Sequence, residues 1–311
     1  MIINKNIDGG KGFDWGRTSN DYAKFRDIYP DEFYQYLIKN GICTKGQNVL
    51  DIGTGTGVLP RNLYKYGAKF TGIDISENQI KQAKLLAEKD KMNIEFFSSP
   101  AEELQFNPES FDIVTACQCF DYFNHPVLAP KIHKILKASG KFVILYMAWL
   151  PFEDAIAGKS ENLILKYNPN WTGGRETRHN IQITDDYTEY FEVEKSEVFD
   201  INVPFTRKSW NGRMKACRGI GASLEEAEIE RGFIMTIKEN TLEITSKSFD
   251  NNSFIPKRHT GFGEDISPPF TISGLSKNAA SIAIVMDDLD IPFIKAFNHW
   301  IIWNIPAVNE I

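Results

Sequence analysis

The chain has 311 residues, 42% of them hydrophobic and 24% charged, with 35 basic against 41 acidic side chains for a net charge of −6. This composition excludes collagen-like, largely disordered and disulfide-stapled chains, and the length allows one large core or two smaller ones. A mildly acidic chain also lacks the broad positive field that holds nucleic acid or an anionic membrane, so a small-molecule partner is expected instead.

Four cysteines, Cys43, Cys117, Cys119 and Cys217, form no C-x-x-C pair. That fits free thiols in a reducing compartment, and no metal site is expected. Residues 1–12 are polar and glycine-rich, unlike a secretory leader. The longest apolar run, residues 142–152, is about half a membrane span and contains a proline. A cytoplasmic location is expected.

From Gln47 onward strands and helices alternate. Residues 48–52 predict a first strand. It runs into Gly53-Thr54-Gly55-Thr56-Gly57 and then a helix over residues 58–66. A second strand is predicted over residues 68–74. Ser76-Glu77-Asn78-Gln79 reads as a capping box opening a helix, with Ile80, Ala83 and Ala87 on one face. Third, fourth and fifth strands are predicted over residues 93–97, 111–116 and 141–147. A helix over residues 125–137, closed by Gly140, precedes the fifth. Near-continuous apolar strands alternating with helices predict an α/β fold, a doubly wound and mostly parallel sheet with a core over residues 40–150. Such sheets bind ligands at the carboxyl ends of their strands.

The glycine turn after the first strand permits unusual dihedrals and close approach of backbone to a ligand. Asp51 precedes it. Asp74 ends the second strand about 20 residues on, the usual place for a carboxylate that accepts ribose hydroxyls. The pair predicts a site for an adenosine-bearing cofactor. A dinucleotide fingerprint would carry Gly or Ala where this chain has Val58, and no Gly-Lys-Ser/Thr follows as in a P-loop.

Asp51-x-Gly53-x-Gly55-x-Gly57 resembles motif I of the class I S-adenosylmethionine-dependent methyltransferases. Ser99-Pro100-Ala101-Glu102-Glu103 followed by Phe111-Asp112-Ile113-Val114 is similar to the segment around the third and fourth strands of that superfamily. Tyr22-Ala23-Lys24-Phe25-Arg26 with Tyr29-Pro30 resembles the N-terminal lid helix of its small-molecule subgroup. The likeness covers roughly residues 13–230 and implies a Rossmann-like fold with S-adenosylmethionine as cofactor. It implies cofactor contacts from Tyr22, Arg26, Asp51, Gly53, Gly55, Gly57, Asp74, Ile75, Ala101, Glu102 and Cys117. Pro100 stands where the family often has Asp, and Lys137-Ala138-Ser139-Gly140 where it more often has Lys-Pro-Gly-Gly.

The implied reaction is an in-line displacement at the sulfonium methyl. Tyr22, His125, His179 and Tyr146 are the candidate proton-handling groups. Residues 148–220 are expected to cap the substrate, with Gln118, Trp149, Arg175 and Arg213 as candidate contacts; the two arginines would suit an acidic acceptor. Residues 190–203 are expected to supply a sixth strand and residues 223–230 a helix.

Beyond Arg231 the pattern changes. Ile266-Ser267-Pro268-Pro269, Asp288-x-Asp290-x-Pro292 and His299-Trp300 with Trp303-Asn304-Ile305-Pro306 resemble the amino-terminal half of the phosphatidylethanolamine-binding, Raf-kinase-inhibitor-like family. Leu289 stands where that family usually has Pro. The resemblance implies a methyltransferase domain over residues 1–240 fused to a partial all-β segment over residues 241–311. The segment is expected to be marginally ordered alone or to self-associate, and residues 242–245 are expected to fill a seventh position in the main sheet. Two alternative functions stand beside this one. One is a nicotinamide-dependent oxidoreductase using the glycine turn, against which Val58 and the G-x-G-x-G spacing count; the other is a binder of anions or lipid headgroups acting through the tail.

Overall fold

The computed structural model describes residues 2–229, 242–250, 253–275, 279, 281–288, 297–306 and 308. The chain divides into two compact units, Met1–Ile229 and Glu230–Ile311. The boundary expected at residue 240 lies outside the described residues.

In chain order the first unit comprises α1 (Ser19–Phe25), α2 (Asp31–Lys39), β1 (Asn48–Ile52), α3 (Val58–Leu63), β2 (Lys69–Asp74), α4 (Glu77–Lys89), β3 (Glu95–Ser98), β4 (Phe111–Cys117), α5 (His125–Ile135), β5 (Leu136–Leu145), α6 (Ala155–Tyr167), α7 (Arg207–Lys215) and α8 (Glu226–Ile229). The strands form one parallel sheet in the order β3-β2-β1-β4-β5. The order reverses between β1 and β4, and a crevice opens at the carboxyl ends there.

Successive strand residues point to opposite faces, and both faces are covered. Val49, Phe70 and Ile113 pack with Leu59, Leu63, Tyr34 and Leu37. Leu50, Ile52, Val114 and Ala116 pack with Leu128, Ala129, Ile132 and Ile135 of α5. Ile80, Ala83 and Ala87 of α4 dock on Phe96 of β3.

Only half of the predicted capping box forms. The Ser76 hydroxyl accepts the Gln79 backbone N–H at 3.4 Å. Gln79 cannot repay the Ser76 N–H, because Asp74 already takes it at 2.8 Å. The Gln79 amide donates instead to the carbonyl of Trp15 at 3.1 Å, tying the N-terminal segment to α4.

Three other expectations need correction. The helix α5 stops at Ile135 and β5 starts at once at Leu136, so Gly140 lies in a strand and closes no helix. The β4–β5 register shifts between Phe111 and Ile113, and the intervening residues of β5 are absorbed there. Residues 190–203 form no strand; Tyr190 and Phe191 pack on the core and Phe199 rests on Tyr36, with no ladder partner alongside. Residues 242–245 do not join the main sheet, since β6 (Glu243–Ser246) pairs antiparallel with β7 (Phe270–Ser273).

The second unit adds an antiparallel pair, β8 (Ser281–Asp288) with β9 (Phe297–Pro306). Ile272, Ile282, Ile284 and Ile305 are its buried cluster. Leu289, Asp290 and Pro292 lie outside the described residues, while His299, Trp300 and Trp303 fall on β9. Among the described residues no helix is long and apolar enough to cross a membrane.

Candidate active site

At the sheet's reversal a cleft of about 410 Å³ opens in the first unit, within the roughly 300–1,000 Å³ usual for small-molecule sites. Its lining includes Gly55, Asp74, Ile75, Ala101 and Glu102 from the ends of the first three strands and the turns after them, and Tyr146, Met147, Trp149, Trp171 and Arg213 from the chain after β5. A smaller recess beside it is lined by Asp51, Gly53, Cys117, Gln118, Tyr29, Arg26 and Arg213.

The turn after β1 needs its glycines. Gly53, Gly55 and Gly57 have φ of +63°, +57° and +72°, the left-handed region that side chains disfavour. A Cβ at Gly53 would lie 2.7 Å from the Cys119 sulfur, and one at Gly57 2.7 Å from the ring of Phe96. Gly53 and Gly55 line the cleft, whereas Gly57 does not. Gly57 was expected to touch cofactor; it serves instead as the N-cap of α3, packed on β3.

Asp74 splints this turn. One of its oxygens accepts the Gly55 N–H at 2.9 Å and the other the Ser76 N–H at 2.8 Å. Burial raises its pKa against the lowering effect of these two bonds. Asp51 is fully enclosed and accepts the Thr115 hydroxyl at 2.6 Å. Burial pushes its pKa up to about 6, opposed by the Thr115 bond and reinforced by the charge of Asp74.

The helix α1 borders the cleft with Tyr22 and Arg26. The Arg26 guanidinium lies 4.9 Å over the Tyr22 ring, and Trp15 meets that ring edge-on. Tyr29 hydroxyl and Cys117 sulfur are 3.3 Å apart. Burial pushes the Cys117 thiol up to about 12 and the Cys119 thiol well up as well, so both stay protonated near neutrality. Gln118, at φ +65°, donates its side-chain amide to the Met147 carbonyl at 2.8 Å and so ties the fourth strand's loop to the cap.

In the cap, the Trp149 indole N–H donates to Glu161, a buried carboxylate that also accepts the Arg175 backbone N–H at 2.7 Å. The Arg213 guanidinium lies 4.7 Å over the Trp149 ring. The Tyr146 hydroxyl donates to Glu176 at 3.3 Å, and both line the cleft.

Besides Gly57, three candidates fall outside. The Arg175 side chain is exposed and lines neither the cleft nor the recess, because Glu161 holds its backbone in a left-handed turn that carries the side chain to solvent. His125 pairs with the Tyr187 hydroxyl at 3.1 Å and does not line the cleft. His179 is exposed, 3.7 Å from Glu176.

Sequence reading missed Trp15, Tyr122, Glu176 and the N-terminal strap. Ile2 and Phe13 exchange backbone hydrogen bonds at 2.7 and 3.0 Å, and Ile2, Asn6 and Ile7 line the cleft. The strap is riveted by Asp8, which accepts the Thr172 N–H at 2.7 Å and its hydroxyl at 3.0 Å and pairs with Arg218 at 3.4 Å. Its signal was Asp8-Gly9-Gly10, a turn with φ of +50°, +63° and +82°.

The methyltransferase-domain family matches residues 50–144, and the phosphatidylethanolamine-binding protein family matches residues 245–311. A UPF0098 protein of Pyrococcus horikoshii is 53% identical over 66 residues, 21% of this chain and 33% of that protein. A ubiquinone biosynthesis O-methyltransferase of Coxiella burnetii is 35% identical over 105 residues, 33% of this chain and 45% of the relative. Among solved structures, an S-adenosylmethionine-dependent methyltransferase from Aquifex aeolicus aligns with 42% of this chain and 72% of its own, at 20% identity and a TM-score of 0.37. The chain thus spans less than half the length of either curated relative. Its five-stranded parallel sheet carries the match to the methyltransferase-domain family, and the match to the phosphatidylethanolamine-binding protein family follows it in the chain.

Proposed function

We propose that the first unit binds S-adenosylmethionine and passes its methyl group to a small-molecule acceptor. One observation carries this reading: a single cleft runs from the Asp74-splinted glycine turn to an aromatic and cationic wall formed by Trp149, Trp171 and Arg213.

The residues fit the cofactor's parts. Each Asp74 oxygen accepts one backbone N–H, which leaves a lone pair on each for the two ribose hydroxyls. Ile75 and Ala101 offer an apolar edge for adenine, beside Glu102. Asp51 and Cys117 border the recess where the methionyl end would lie, with Arg26 for its carboxylate and Tyr22 facing the sulfonium. When bound, the cofactor supplies an already activated methyl group. The chain's own work is then to orient the acceptor and exclude water, which Trp15, Tyr122, Trp149 and Trp171 do by walling the cleft. For an acceptor that must lose a proton, the Tyr146 oxygen would take it while the phenol passes its own proton to the Glu176 carboxylate, to which it already donates.

Calorimetry on the full chain tests the reading. S-adenosylmethionine and S-adenosylhomocysteine are expected to bind one per chain and NAD not to bind. Binding of NAD alone would reverse the assignment toward a nicotinamide-dependent oxidoreductase. Methyl-labelled S-adenosylmethionine, incubated with the protein and a metabolite extract, is expected to label a low-mass product.

A further inference from the structure

Arg213 differs from Arg218, the other buried cation of the cleft. It is 7% exposed, its Nη1 has no hydrogen-bond partner, and among the described residues it forms no ion pair. The nearby Arg218 is as buried, yet it is answered by Asp8 at 3.4 Å and the Thr172 hydroxyl at 3.1 Å. A buried guanidinium left without an anion is costly, and such a cost is retained where a ligand supplies the missing partner. Burial, and then the Arg26 charge, pull the Arg213 pKa down to about 9, so it stays cationic near neutrality.

The surroundings select the ligand's charge. Guanidinium groups only donate. The Trp171 indole N–H, on the same wall, is also buried without a partner. Arg26 brings a second positive charge to the recess and likewise has no ion pair among the described residues. S-adenosylmethionine adds a sulfonium and an ammonium against one carboxylate, so it can answer one arginine but leaves the other. Arg213 lies over the Trp149 ring, and its unpartnered Nη1 is open to a ligand carboxylate, for which guanidinium geometry suits a forked pair of hydrogen bonds.

We propose that the methyl acceptor is a small carboxylic acid whose carboxylate is held by Arg213, leaving Arg26 for the cofactor's carboxylate; this rests on the methyl-transfer reading above. The test uses the full chain saturated with S-adenosylhomocysteine. The probes are succinate, glutarate, benzoate and phenylacetate, each paired with its neutral amide, and binding is read by calorimetry. At least one acid is expected to bind, and its amide not to. Arg213→Gln is expected to weaken that acid by about tenfold or more while changing S-adenosylhomocysteine affinity by less than about threefold. Arg213→Lys keeps the charge and loses the fork; an intermediate loss of acid binding is expected, and this variant carries the test should Arg213→Gln not fold.

A loss of S-adenosylhomocysteine affinity in Arg213→Gln, with acid binding unchanged, would overturn the proposal by moving Arg213 to the cofactor. Acids and amides binding alike, or no acid binding to a chain that holds S-adenosylhomocysteine, would overturn it and leave methyl transfer standing. Failure of S-adenosylhomocysteine itself to bind would overturn both.

Discussion

Asp74 and Gly55 are joined by a 2.9 Å hydrogen bond from the glycine's N–H to the carboxylate. The acid at the tip of one strand therefore holds the turn leaving its neighbour, and the same two oxygens border the cleft. Asp74→Ala strands the N–H groups of Gly55 and Ser76 and removes the proposed ribose acceptor. It is expected to lower stability by about 1–3 kcal/mol and S-adenosylhomocysteine affinity by about tenfold or more. Urea unfolding and calorimetry on one preparation check both.

Asp51 predicts a pH dependence. Its pKa rises from 3.8 to about 6 on folding because burial disfavours the charge. The folded chain thus keeps a proton that the unfolded chain releases. The stability this contributes is complete below about pH 4 and lost as the pH climbs through about 6. Asp51→Asn, neutral throughout and still able to accept the Thr115 hydroxyl, is expected to escape that loss. Without ligand, its stability relative to the parent should rise between pH 4 and 7 by roughly 2–3 kcal/mol. Urea midpoints at several pH values across that range provide the measurement; parallel curves would refute the expectation.

Gly57 separates packing from binding. An alanine there must hold a φ of +72° and press its Cβ on Phe96. Gly57→Ala is expected to cost about 1–3 kcal/mol of stability. Since Gly57 lies off the cleft lining, S-adenosylhomocysteine affinity of the folded fraction should stay within about threefold. A large affinity loss with unchanged melting would contradict this.

Asp8→Ala would leave Arg218 buried without its carboxylate. Removing one partner of such a pair is expected to cost roughly 3–5 kcal/mol. The damage should be local, because Asp8 also fastens the strap to Thr172. Hydrogen exchange should accelerate first in residues 2–13 and around Thr172; a uniform change across the sheet would count against the strap.

The sheet was legible because its strands are short apolar runs separated by helical periods, and each finds a parallel neighbour. The glycine turn and Asp74 were legible because left-handed backbone and a strand-end acid leave residue-type signatures. Residues 190–203 misled because the sixth strand was expected from the resemblance, which says nothing of whether a ladder partner is present in this chain. Tyr190 and Phe191 are buried by packing on the core instead. Arg175 and Arg213 read alike in sequence. They part in space because Glu161 holds Arg175 by its backbone, whereas α7 carries Arg213 inward against Trp149. His125 looked placed for chemistry by following the fourth strand, but its ring turns to Tyr187.

Ile2, Asn6 and Ile7 lie along the cleft, and Asp8 fixes them to Thr172 and Arg218. A bulky group attached ahead of Ile2 would therefore sit next to the cleft lining, and binding measured with and without such a group reports how far the strap shapes the cleft.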